Sequence, residues 1–188
     1  DTDVLLALSP FCFDVTGWEY LAPMAAGARL IIANDLQYRD PRAIVTLMAE
    51  HAVTCCEATP GLWSLIAEAA SDELHGVRAV ISGEDLPQTV ATAVADAGAQ
   101  VWNLYGPTEA TVFATAGEQN AGPVDIGLPL PGVEIRVLDD YLVPVADGAL
   151  GALYLVGPQI AFGYVGRADL TAASFVADPQ GTGRVMYG

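Results

Sequence analysis

Residues 103–111 read NLYGPTEAT. The run just before them, Gln100-Val101-Trp102, is short and apolar and reads as a buried strand, which Gly106 and Pro107 stop with a turn. A hydroxyl (Thr108) and a carboxylate (Glu109) follow the turn, and an aromatic ring (Tyr105) precedes it. In an open α/β sheet, ligands bind at the loops that leave the carboxyl ends of the strands. An aromatic face beside a hydroxyl and an acid suits a flat base joined to a metal-bound phosphate: the ring stacks and the oxygens hold Mg²⁺. The same residues also read as a Gly-Pro turn with ordinary polar side chains, and the pattern alone does not separate the two.

Upstream of this stretch, strand and helix patterns alternate. Residues 4–8 form a strand candidate that ends in Ser9-Pro10. Asp14 or Thr16 can cap the next helix, whose apolar positions include Trp18, Leu21, Met24 and Ala25, with Gly27 at its end and a strand over 28–33. Asp40-Pro41 opens a helix with Ile44, Val45, Leu47 and Met48 on its apolar side. Residues 53–56 read as a strand with Glu57 at its end, followed by a helix through Leu62, Leu65 and Ile66. Residues 77–81 form a strand running into Ser82-Gly83-Glu84, and Pro87 starts a helix that continues to about residue 97. This alternation predicts an α/β fold, a doubly wound and mostly parallel sheet with flanking helices. Beyond Thr111 the character changes. Residues 112–115 read as extended and 118–123 as a loop, and then come short strands at 133–138, 142–143 and 153–156. The division predicted is an α/β subdomain over 1–120 and the start of a β-rich subdomain over 121–188.

The 188 residues can bury a sizeable core, and 53% hydrophobic with 16% charged residues describes a globular chain. No apolar run reaches the roughly eighteen residues of a membrane span, and no basic-then-apolar signal opens the chain. The formal charge is −16 and all seven basic residues are arginines. That balance argues against nucleic acid or an anionic membrane as a partner, yet leaves room for a nucleotide neutralised by Mg²⁺ and backbone amides. Cys12, Cys55, Cys56, His51 and His75 make no metal-ligand spacing; the adjacent cysteines read as buried small side chains, and a cytoplasmic location is expected. The chain begins with Asp1 rather than Met and stops at Gly188, so a segment of something larger is expected.

Three stretches, in order, carry a resemblance. Phe13-Asp14-Val15-Thr16-Gly17-Trp18-Glu19, NLYGPTEAT at 103–111, and GALYLVGPQIAFGYVGRADLTAASFV at 151–176 are similar to core motifs of the adenylation domains of nonribosomal peptide synthetases. Those adenylate-forming enzymes activate an amino acid with ATP and Mg²⁺, giving an aminoacyl adenylate and pyrophosphate. The third stretch belongs to a subdomain expected to be a distorted barrel. It departs from the family pattern at Ala152, where Glu is usual, and at Phe162, where Arg is usual.

The resemblance implies roles residue by residue. Tyr105 would stack on adenine, Asn103 would bond the adenine edge, Gly83 and Glu84 would pass the base by their backbone, and Gly106 and Thr108 would complete the cofactor set. Thr108 and Glu109 would be the catalytic pair, with Glu109 the metal ligand. A side chain at Gly83 would crowd the base; the same glycine also reads as a strand-end turn. The amino-acid pocket would be lined by Asp14, Val15, Trp18, Glu57, Val80, Ser82, Leu104, Val112 and Phe113. Asp14 would pair with the α-ammonium, although it also reads as a helix cap.

The pocket resembles the serine-activating pattern at most positions, with Trp18 and Leu104 narrowing it and Ser82 offering a hydroxyl. Glu57 stands where serine pockets have His and Phe113 where they have Asp. A buried carboxylate lacking a partner would seek a cation, so diaminobutyrate or ornithine rivals serine; a protonated Glu57 could instead bond a serine hydroxyl, or the side chain could face solvent. The count of matches favours serine.

The family's phosphate loop and its mobile C-terminal domain, with a lysine in each, match nothing in residues 1–188, so this stretch alone is expected to be inactive. The expected partner is a peptidyl carrier domain bearing phosphopantetheine. Two rival functions are an aryl or fatty acyl-AMP or acyl-CoA ligase, for which Asp14 would be idle, and a non-enzymatic nucleotide-binding module.

Overall fold

The computed structural model describes residues 2–120 and 122–188; the subdomain bounds 1 and 121 named above lie outside the described residues. The chain forms two compact units, residues 2–105 with 116–127 and residues 106–115 with 128–188. It passes between them inside the NLYGPTEAT stretch, so that Tyr105 closes a strand of the first unit and Gly106 opens the second.

The first unit contains β1 (Val4–Ala7), α1 (Val15–Ala26), β2 (Arg29–Ile32), α2 (Asp35–Tyr38), α3 (Pro41–His51), β3 (Cys55–Ala58), α4 (Pro60–Ala69), β4 (Arg78–Ile81), α5 (Gln88–Asp96), β5 (Gln100–Tyr105) and most of β6 (Thr115–Glu118). The strand order is β2-β1-β3-β4-β5-β6, and the first five strands are parallel. That is the doubly wound α/β fold the sequence predicts, with its topological switch point between β1 and β3.

Strand alternation sorts the sheet into two faces. On one, Leu6, Cys56, Ala79, Ile81 and Val101 pack against Ile44, Met48, Trp63, Ile66 and Val94 of α3, α4 and α5. Trp63 is fully buried and its indole N–H donates to the Val80 carbonyl at 2.9 Å, which pins α4 to β4. On the other face, Leu5, Ala7, Cys55 and Val80 pack against Trp18 and Tyr20 of α1, with Leu30 and Leu104. Cys55 and Cys56 are both buried, and burial pushes the Cys55 thiol up to about 11.

Local chemistry sets most boundaries. Asp40 accepts the Arg42 N–H at 3.0 Å and Pro41 starts α3, whose four expected apolar residues are all buried. Several expectations need correction. Neither Asp14 nor Thr16 caps α1 with its side chain: Asp14 makes no capping bond, and the Thr16 hydroxyl donates to the Pro10 carbonyl at 3.0 Å. Leu21 and Met24 are 66% and 71% exposed, while α1 buries Thr16, Glu19 and Pro23. Strand β3 runs on through Glu57, because that side chain finds hydroxyl partners rather than water. Residues 112–115 are not extended throughout, since Thr111 and Val112 turn with φ of 59° and 69° before β6 begins.

The second unit holds a 3₁₀ turn (Thr108–Ala110), β7 (Leu128–Pro129), β8 (Glu134–Leu138), β9 (Ala152–Val156), α6 (Ala168–Ser174), β10 (Phe175–Ala177) and β11 (Val185–Tyr187). Four of these strands make an antiparallel sheet of order β10-β11-β9-β8. Leu155 packs with Ala110, Ala114 and Ile135 on one side, and Val156 with Leu138 and Met186 on the other. The strand expected at 142–143 is absent: Leu142 has a φ of 60° and only Pro144 bridges to Leu138. Glu134 pairs with Arg136 and Arg184, each at 2.6 Å, which ties β8 to the start of β11. Among the described residues, no helix is long and apolar enough to cross a membrane.

Candidate functional site

The switch point is where the first unit collects its polar groups. Ser9 follows β1, Glu57 lies on β3 and Ser82 follows β4, all on the face that packs against α1. Glu57 is 3% exposed. Its Oε1 accepts the Ser82 hydroxyl at 2.6 Å and its Oε2 the Ser9 hydroxyl at 3.2 Å. Burial pushes the Glu57 carboxyl up, against the pull of those two hydroxyls.

Glu19 of α1 stands behind this cluster. It is fully buried, and its carboxyl accepts the backbone N–H of Leu8 at 2.8 Å and of Ser9 at 3.2 Å. Burial raises it to about 7, and the neighbouring Glu57 adds to the rise. Ser9 thus bridges two buried acids, one through its amide and one through its hydroxyl. Sequence reasoning gives neither Ser9 nor Glu19 a role. The period-two pattern Leu5, Ala7, Ser9 is the available signal for the first. For Glu19 the apolar pattern of α1 gives no signal, since the face that α1 buries carries Thr16, Glu19 and Pro23 rather than Leu21 and Met24.

An apolar groove of about 330 Å³ lies on the same face, displaced from the cluster toward the amino ends of the strands, where Asp3, Leu5 and Arg78 also line it. Trp18, Val80 and Leu104 of the expected pocket line it, together with Cys55 and Trp102. Val80 is also the register neighbour of Glu57 across β3 and β4. Six of the expected pocket positions therefore fall on one face of this unit: Trp18, Val80 and Leu104 in the groove, Glu57 and Ser82 in the hydrogen-bonded cluster, and Asp14 one turn before Trp18. Asp14 is exposed and Val15 half-buried.

The cofactor positions of the first unit are more scattered. Tyr105 is 37% exposed at the end of β5. Asn103 is buried and its Nδ2 donates to the Asp125 carbonyl at 2.7 Å, so that donor is engaged within its own unit. Gly83 has a φ of 84°, which by itself calls for glycine; a Cβ there would make only ordinary contact with Thr59 at 3.7 Å. Glu84 is exposed.

In the second unit, Thr108 is exposed and Glu109 half-buried on the 3₁₀ turn. A Cβ on Gly106 would collide with the backbone of residues 112–114, which gives this glycine a packing reason. Val112 carries a β-branched side chain at positive φ, a strained turn closed by the Phe113 N–H on the Thr111 carbonyl at 3.0 Å, while the Thr111 hydroxyl donates to the Gln159 carbonyl at 2.6 Å. Phe113 is buried. Burial is the largest influence on Glu109 and works against its charge, but the Tyr164 hydroxyl that donates to its Oε1, its own backbone N–H and the Tyr187 hydroxyl together outweigh burial and hold the carboxyl below the usual range. Among the described residues, no group of three or more His, Cys, Asp or Glu is placed to hold a metal. A single ionised carboxylate suits Mg²⁺, which keeps its waters and takes substrate phosphates rather than an all-protein cage.

Comparison with known proteins decides the family. Residues 1–165 match the family described as AMP-binding enzyme. The chain belongs to that family. It is 37% identical to a dimodular nonribosomal peptide synthase of Bacillus subtilis, over all of this chain and 8% of that protein. It is 39% identical to enterobactin synthase component F of Escherichia coli, over 98% of this chain and 16% of that protein. The chain thus spans a small part of the curated relatives it matches.

Among solved structures of like fold is the NpsA N-terminal subdomain of Klebsiella oxytoca in complex with 3-hydroxyanthranilyl-AMSN, at 30% identity and a TM-score of 0.86, over 99% of this chain and 48% of that one. Another is holo-AB3403, a four-domain nonribosomal peptide synthetase bound to AMP and glycine, at 27% identity and a TM-score of 0.90, over all of this chain and 14% of that one. The resemblance read from the three motifs is borne out, and the chain takes its place among adenylation domains of peptide synthetases.

Proposed function

We propose that residues 1–188 supply the amino-acid pocket, part of the ATP site and the metal ligand of a domain that converts an amino acid and Mg·ATP into aminoacyl-AMP and pyrophosphate. The observation that carries the reading is the Ser9–Glu57–Ser82 cluster, a buried polar group at the switch point of the sheet, on the same sheet face as the groove lined by Trp18, Val80 and Leu104. Fold alone would not license a function; the site and the family together do.

In this reading the Asp14 carboxylate, which caps nothing, pairs with the α-ammonium and aims the substrate carboxylate. A substrate carboxylate oxygen bonds to the α-phosphorus of ATP, and the bond from that phosphorus to pyrophosphate breaks. By the family resemblance Tyr105 would stack on the base, with Gly83, Glu84, Asn103 and Gly106 as the other base-side residues, Thr108 would touch the phosphates, and Glu109 would hold Mg²⁺. The bound metal would neutralise phosphate charge during the transfer. The family resemblance adds Val15, Val112 and Phe113 to the side-chain pocket. The activated residue then passes to a phosphopantetheine-bearing peptidyl carrier domain, in the cytoplasm where ATP is made.

Serine is the substrate we favour. A buried carboxylate in want of a cation was the argument for diaminobutyrate or ornithine, and Glu57 has two hydroxyl donors already. An aryl acid is the second reading, because the NpsA subdomain was solved with 3-hydroxybenzoyl-AMSN. The test is Asp14→Ala in a complete adenylation domain carrying this chain. Amino-acid-dependent ATP–pyrophosphate exchange should fall at least about tenfold, the worth of a charge-assisted hydrogen bond. Unchanged exchange would move the chain to the acyl-activating branch.

A further inference from the structure

The Gly163-Tyr164 pair of the third motif carries no chemical role in the reading above, yet the second unit builds a support around it. The Tyr164 hydroxyl donates to Glu109 Oε1, across 55 residues of sequence. The ring is wedged edge-on against Phe175, with centroids 5.5 Å apart, and Phe175 packs in turn on Tyr187 at 5.1 Å. The Tyr187 hydroxyl lies 3.5 Å from that of Tyr164. The Tyr164 backbone is fixed as well: its N–H donates to the Thr171 hydroxyl of α6 at 2.9 Å. Gly163 has a φ of 133°, and a Cβ there would overlap the same Thr171 side chain. The main chain of Glu109 is held from the same segment, since its carbonyl accepts the Ala161 N–H at 2.8 Å.

We infer that Tyr164 is the positioning residue for the Glu109 carboxylate, setting the direction in which that acid meets its metal. The inference rests on the proposed role of Glu109 as metal ligand and adds a residue to it. A carboxylate on a short, half-exposed turn has free rotation about its side-chain bonds. A hydroxyl fixed by its own ring packing removes that freedom at one oxygen and leaves the carboxylate aimed before the metal arrives. Phe175, Thr171 and Gly163 act only through Tyr164. The short helix of the third motif thereby gains a purpose, because α6 carries the hydroxyl that locks the tyrosine.

The experiment uses a complete adenylation domain carrying residues 1–188 and compares the parent with Tyr164→Phe and Glu109→Gln. Tyr164→Phe keeps the ring against Phe175 and removes only the hydroxyl. Mn²⁺ binding is followed by electron paramagnetic resonance with a non-hydrolysable ATP analogue present, alongside the Mg²⁺ dependence of pyrophosphate exchange and the thermal midpoint. Tyr164→Phe should weaken Mn²⁺ about tenfold, the usual effect of removing a group that orients a metal ligand. The half-saturating Mg²⁺ concentration should rise in step, with exchange recovered at excess Mg²⁺. Unchanged Mn²⁺ affinity in Tyr164→Phe, with Glu109→Gln weakened, would overturn the inference and make the tyrosine a packing residue. Unchanged affinity in both variants would overturn the metal role of Glu109 and the inference with it.

Discussion

Ser82 gives its hydroxyl proton to Glu57 at 2.6 Å, so the side chain expected to meet a substrate hydroxyl already serves the acid beside it. The two residues form a unit, with Ser9 completing it from the far side of the switch point. In the proposed pocket a polar substrate would meet the remaining lone pairs of a hydroxyl-bonded carboxyl, rather than a bare charge.

Removing one hydroxyl should therefore be felt in substrate choice. Ser82→Ala is expected to lower kcat/KM for serine by about tenfold to a hundredfold, the range for a hydrogen bond to a charged or ionisable group. The same variant should gain relative activity toward diamino acids, because Glu57 then lacks a donor that an ammonium can replace. Exchange kinetics with serine and diaminobutyrate measure both effects; equal losses on the two substrates would contradict the cluster's role in selection.

Glu19 predicts a pH dependence of stability. Its carboxyl rises from 4.5 to about 7 on folding, so the folded state binds the proton more tightly than the unfolded state does. The stabilisation is fully present below about pH 4.5 and is lost as pH rises through 7, about 3 kcal/mol in all for a shift of that size. Glu57 is shifted in the same direction and adds to the slope. Thermal midpoints of the adenylation domain measured from pH 5 to 8 should fall less steeply in Glu19→Gln than in the parent. Parallel curves would mean that Glu19 is already ionised in the fold.

Gly106 gives a packing prediction. A Cβ there meets the Val112 carbonyl and the backbone of Phe113 and Ala114, none of which can rotate away. Gly106→Ala should cost about 1–3 kcal/mol, seen as a lower urea midpoint at unchanged slope. An unshifted midpoint would show that the turn opens without penalty.

The sequence told most where the chemistry was local. Asp40-Pro41 announces α3 because cap and proline act within one turn of the chain, and Ile44, Val45, Leu47 and Met48 follow at helical spacing. It told least where a distant partner decides. Leu21 and Met24 read as core, yet α1 turns Glu19 inward because the amides of Leu8 and Ser9 are there to satisfy it. Residues 112–115 read as extended, but the chain turns left-handed at Thr111 and Val112, where the Thr111 hydroxyl bonds to a carbonyl 48 residues away. The proposed pocket residues come from resemblance to a family alone, because no local pattern in the chain marks them. Ser9, which touches both buried acids, carries no mark of its own beyond its place in the alternation of β1.

The most direct measurement is a substrate panel. Residues 1–188 replace the matching segment of a complete adenylation domain of known selectivity, and ATP–pyrophosphate exchange is read with serine, threonine, diaminobutyrate, ornithine and a carboxylic acid lacking an amino group. The account predicts exchange with serine above the others and none with the amino-free acid. Exchange with the amino-free acid at the level of serine, from a folded graft, would contradict it.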